Sequence, residues 1–138
     1  MHFKKNLRLY YVMIWLLVAA VILLIATVFR DHAFIRGHVI DIFAVPFVAF
    51  FILIFIPMPA RAIALVSWCI ALAVEFSQYF KLADALGLAK GSFLHQFLGS
   101  TFSWNDILMY SIGAVLTYLI VKLIVTKQLA QVVSANKG

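Results

Sequence analysis

Apolar residues fill this chain in long unbroken runs, and polar residues gather between them. About 20 mostly apolar residues in an α-helix cross the hydrocarbon layer of a bilayer. Four runs reach that length, at residues 10–29, 39–56, 62–80 and 107–125. Between the second and third lies PMPAR, residues 57–61. Two prolines so close together stop a helix and set a tight turn, which makes spans two and three antiparallel neighbours. Pro46 falls inside the second run and frees one backbone carbonyl, so a kink is expected there. The pattern predicts an all-α polytopic membrane protein, with residues 1–138 forming one four-helix transmembrane bundle.

Composition supports the same medium. Hydrophobic residues make up 66% of the chain and charged residues 12%, where a soluble domain carries about 25% charged residues. Mean hydropathy is +1.09. The polar surface is too small to coat a soluble globule. The first run follows a basic start, KKNLR, like a secretory leader. At about 20 residues it exceeds the usual 7 to 15, and no A-x-A-like site follows, so it reads as an uncleaved anchor. The lone Cys69 allows no intrachain disulfide and reads as a small buried or lipid-facing apolar residue.

Charge adds orientation. With four spans both termini share a side. That side carries seven bases, Lys4, Lys5, Arg8, Arg61, Lys122, Lys127 and Lys137, and the other side four, Arg30, Arg36, Lys81 and Lys90. The positive-inside rule then predicts both termini in the cytoplasm. The net charge of +6 is split among short membrane-flanking segments, so nucleic acid is not an expected partner. Membrane lipid is, and oligomers are allowed.

The polar positions inside the runs carry the candidate chemistry. Glu75 and Gln78 lie in the last turns of span three, Asn105 and Asp106 open span four, and Asp41 lies a turn inside span two. All fall at one depth, in the outer leaflet. Residues three and four apart share a helix face. Glu75 and Gln78 therefore continue a stripe of Ala64, Ser67 and Ala71, and Asp106 shares a face with Met109, Tyr110, Gly113 and Thr117. Small residues mark close helix approach, which points both carboxylates into the bundle, facing each other or sharing Arg36. Gln78, Ser67, Asn105 and Thr117 also read as interhelical hydrogen-bond glue, and Asn105–Asp106 as a helix N-cap. A carboxylate within a span, such as Glu75, is costly and reads as functional by default.

The third connection, KLADALGLAKGSFLHQFLGSTFSWN, is long and apolar. Ser92 can cap a short helix over residues 92–99, too short to span, which should lie in the interface or re-enter the membrane. Phe102 and Trp104 suit headgroup level. His95 reads as a surface polar residue. His32 and His38 flank Arg36 without metal-site spacing, and no phosphate loop or hydrolase motif is present. No metal and no cofactor are expected.

Three pieces stand in order across most of the chain: FIRGHVID (34–41), VEFSQ (74–78) and FSWNDILMYSIGA (102–114). Together, over roughly residues 8–125, they resemble the bacterial membrane family of domain of unknown function 2809. That family shows a base and glycine before an acid at span two, E-x-x-Q ending span three, and F-S-x-x-D-x-x-x-Y-x-x-G entering span four. The pattern is also similar to the wider VanZ-like group, in which E-x-x-Q and a later D-x-x-x-N-x-x-G recur. Tyr110 here replaces that asparagine. The resemblance implies a link to lipophilic antibiotics, since VanZ is associated with lipoglycopeptide resistance.

Three functions are expected from these residues. The first is a pocket of Arg36, Asp41, Glu75, Gln78, Asn105, Asp106 and Tyr110 that binds a lipid headgroup, a lipid-linked sugar or a lipophilic antibiotic. The second is an intramembrane enzyme acting on such a lipid, with Glu75 as base and Asp106 as partner acid or orienter. The third is a structural subunit whose polar cluster is a packing latch.

Overall fold

In a computed structural model, the described residues are 2–29, 31–32, 35–92, 94–95 and 101–135, with side chains omitted for 2–6 and 36. Helix α1 spans His2–Val28, α2 Ile40–Phe55, α3 Ala60–Tyr79, α4 Leu82–Ala85 and α5 Trp104–Ala135. A π-helical turn, Ile35–Val39, leads into α2. Four helices are long and apolar enough to cross a membrane, over Leu7–Val28, Gly37–Phe55, Ala60–Tyr79 and Trp104–Ala135.

Helix α2 is central and packs on α1, α3 and α5, while α3 also packs on α5. The helices alternate in direction. Tyr11 from early α1 meets Phe50 and Leu53 from late α2, Ile63 from early α3 and Val121 from late α5. Both termini therefore lie at this end, which is filled by a purely apolar core. A second cluster of Val45, Ala71 and Tyr110 sits further along the bundle. Large apolar side chains such as Leu17, Leu23, Leu65 and Leu123 are exposed on the outside, as a lipid-facing surface requires.

The expected tight turn is present. Pro59 adopts an extended backbone just before α3, and Ile56 ends α2. Helix α2 runs unbroken through Pro46. The proline ring leaves the Ile42 carbonyl without its usual donor, and Gly113 of α5 packs against that carbonyl. A Cβ on Gly113 would overlap the Ile42 oxygen and lie 3.2 Å from its carbon and 3.3 Å from Val45 Cβ. The small residue and the proline thus answer each other across the α2–α5 contact.

Several boundaries differ from the apolar runs. Helices α1 and α5 continue beyond them at the shared end, because Lys127, Gln128 and Gln131 suit a helix as well as leucine does. Lys81, with φ of 50° in the left-handed region, ends α3 and starts the short α4. Cys69 is exposed on α3, which excludes the buried alternative. In the segment expected over 92–99, Ser92 Oγ accepts the His95 backbone N–H at 3.2 Å, the anticipated cap. Phe93 and residues 96–99 lie outside the described residues, as do Arg30 and the side chain of Arg36.

Candidate functional site

The stripe anticipated on α3 is the one that is buried: Ala64, Ser67, Ala71 and Glu75. On α5 the buried stripe is Tyr110, Gly113, Thr117 and Val121, with Asp106 half-buried in its first turn. Thr117 bonds within its own helix, whereas Ser67 Oγ, expected as interhelical glue, is buried with no hydrogen-bond partner among the described residues. Thr117 Oγ1 donates to the Gly113 carbonyl at 2.8 Å. Trp68 Nε1 donates to Ser111 Oγ across α3 and α5 at 3.1 Å. These are packing bonds.

At the end away from the termini the two stripes meet α2, and acidic groups converge. Glu75 is 1% exposed. Its Oε1 accepts the Ser103 backbone N–H at 2.6 Å, tying the end of α3 to the residue before α5. Asp41, in the first turn of α2, lies beside the Asp106 carboxyl and hydrogen-bonds the Tyr110 hydroxyl. Asp106 and Asp41 both interact electrostatically with Glu75. Asp106 Oδ1 also meets His38 Nδ1 at 2.9 Å. First-turn placement favours an acid at this position through the helix dipole, but the Asp106 side chain is engaged with other elements.

The structure thus brings together Asp41, Glu75, Asp106 and Tyr110 from the candidate set. Gln78 is half-buried one turn beyond Glu75 on the same face. Asn105 is exposed, and among the described residues no contact ties it to the cluster. His38 is the addition. It projects from the π-helical turn, which winds more widely than an α-helix and is often found at functional sites. Its one signal in the sequence was its place three residues before Asp41.

Beside Ser103 an aromatic group faces outward. Phe102 packs between Tyr79, at 5.0 Å, and Trp104, at 5.1 Å, and stacks on Phe76 at 6.4 Å. Trp104 is 73% exposed. Such amphipathic rings suit the boundary between hydrocarbon and headgroups. On the connection between α3 and α5, His95 Nε2 contacts Asp84 Oδ1 at 3.0 Å. That bond from His95 holds the Asp84 carboxyl below its ordinary value.

Four helices long and apolar enough to cross a membrane, around a carboxylate–tyrosine–histidine cluster, give an all-helical bundle of the multi-pass membrane type. The chain belongs to the family described as protein of unknown function DUF2809, whose profile matches residues 30–114. That stretch contains all of the cluster: His38, Asp41, Glu75, Asp106 and Tyr110. No curated protein and no solved structure matches the chain.

Proposed function

We propose that this protein binds the polar head of a membrane amphiphile, a lipid headgroup, a lipid-linked sugar or a lipophilic antibiotic, at the carboxylate cluster. The orientation that goes with this reading puts the termini in the cytoplasm and the cluster in the outer leaflet of a bacterial inner membrane. The base count of seven against four supports it. One observation carries the reading: an almost fully buried Glu75 meets Asp41, Asp106 and Tyr110 from two other helices at one depth. Charge within a span costs about 2.5 to 3.5 kcal/mol even on lenient insertion scales. Carboxylate oxygens are strong acceptors for hydroxyl and ammonium groups. The exposed rings of Tyr79 and Trp104, with Phe102 packed between them, supply an adjacent apolar platform for the rest of an amphiphile.

The test is lipid co-purification. Wild type and Glu75→Gln, isolated in mild detergent with equal helicity, would be compared by native mass spectrometry and solvent extraction. An amphiphile present on wild type and lost from the variant supports the reading. Equal content in both sinks it.

A second reading, an intramembrane enzyme on a lipid substrate, draws on the Asp106–His38 contact. A carboxylate that orients an imidazole is a recurring arrangement in acid–base sites. In this reading Glu75 remains the general base and Asp106 the partner. Incubation with an extracted lipid pool separates the two: turnover abolished by Glu75→Gln favours the enzyme, and retention without chemical change favours binding.

A further inference from the structure

We infer that His38, Asp41 and Asp106 form a binding site for a first-row divalent cation of the Zn2+ or Mn2+ kind. The three come from separate elements: the π-helical turn, α2 and α5. One ligand atom from each, an imidazole nitrogen and two carboxylate oxygens, lies within 4.8 Å of the others. His38 Nδ1 and Asp106 Oδ1 are 2.9 Å apart. Neighbouring ligands held about 2.0 to 2.2 Å from one ion stand roughly 3 Å from each other.

Charge gives a second, independent line. Glu75 adds a third carboxyl next to Asp41 and Asp106. Carboxyl groups gathered in a low-dielectric interior need a proton or a cation among them. The Tyr110 hydroxyl on Asp41 is the kind of outer partner that orients a ligating carboxylate. The donor set narrows the ion. One imidazole with carboxylates suits Zn2+ or Mn2+, whereas Mg2+ and Ca2+ favour oxygen alone. The inference deepens the pocket reading and rests on it for the ion's role: a dication would let a carboxylate-lined site accept a phosphate-bearing head.

The experiment uses the full chain in detergent, stripped with chelator and titrated with Zn2+ or Mn2+ alone, with no lipid added. Calorimetry should give one ion per chain, with at least tenfold weaker binding in His38→Ala and Asp106→Asn. Since a variant can lose its fold, the Mn2+ electron paramagnetic resonance signal of the wild type provides a second readout. A bound signal displaced by one equivalent of Zn2+ supports the site. Failure to bind stoichiometrically, or equal binding by folded His38→Ala and Asp106→Asn, overturns it as an adventitious ion only. The lipid comparison of wild type with Glu75→Gln fails separately, because it reads lipid content and not metal.

Discussion

Replacing Gly113 with alanine probes the closest approach in the bundle. The added Cβ would overlap the Ile42 carbonyl oxygen and press on its carbon at 3.2 Å. The obstacle is backbone within a continuous helix, so no side-chain rotation relieves it. Either α2 and α5 separate or the turn around Ile42 distorts. Overpacking costs about 1 to 3 kcal/mol, and a clash with helix backbone belongs in the upper part of that range, about 2 to 3 kcal/mol. Alanine recovers about 1 kcal/mol of helix propensity over glycine. The net expectation is a loss of roughly 1 to 2 kcal/mol, the difference of those two effects. For a domain of this size that corresponds to a fall in Tm of a few degrees, about 2 to 8 °C. Unfolding of the detergent-solubilised chain, followed by far-UV circular dichroism in parallel with wild type, provides the assay. Because the same contact aligns Asp41 with Asp106, metal or lipid retention should weaken as well. A variant as stable as wild type, or more stable, would refute the close α2–α5 approach and the complementarity of Gly113 with Pro46.

Glu75→Gln keeps an acceptor for the Ser103 N–H, so melting temperature should hold or rise if the carboxylate is kept for ligand binding; a large fall would support the packing latch. Glu75→Ala removes that acceptor and should cost about 1 to 3 kcal/mol, measured by the same unfolding assay. Ser111→Ala removes the acceptor of the Trp68 indole bond, and the loss should be small, about 0.6 kcal/mol, read as a modest shift in the detergent unfolding midpoint. The Asp84–His95 contact should be acid-sensitive. The Asp84 carboxyl is held below its ordinary value by the His95 bond, with Lys90 and Lys81 adding attraction. Its contribution is therefore complete above the unfolded value near 3.9 and is lost as pH falls through the lower folded value. Hydrogen-exchange protection factors over residues 82–92, corrected for the intrinsic rate at each pH, should fall below about pH 4; factors unchanged at pH 3 would contradict the contact.

The four spans were legible because a run of apolar residues has few other uses at that length. The buried stripes on α3 and α5 were legible for a related reason: Ala64, Ser67, Ala71, Glu75 and their partners repeat at helical spacing. The helix ends were harder. Hydropathy falls at the membrane boundary, but α5 goes on through Lys127 and Gln128 because helix formation does not require apolar residues. His38 escaped notice as a site residue because the π-helical turn that aims it at Asp106 has no periodic signature. Asn105 was grouped with Asp106 by adjacency. One residue along a helix is a rotation of about 100°, which puts neighbours on different faces, and Asn105 is exposed. Lys81 occupies a left-handed backbone position normally given to glycine, so nothing in its residue type announced the short α4.

The proline hairpin between α2 and α3 has a mechanical consequence. The three residues from Pro57 to Pro59 join the helices at the end where Tyr11, Phe50, Ile63 and Val121 fill the core. At the opposite end, α3 and α5 are joined by a connection of more than 20 residues, and the Glu75–Ser103 bond is one of the few ties across it. The bundle therefore resembles a pair of tweezers: its pivot lies beside the termini, and its tips carry the carboxylates. Under the binding reading proposed above, any separation of α2 and α3 would be greatest at the carboxylate end, farthest from the apolar core.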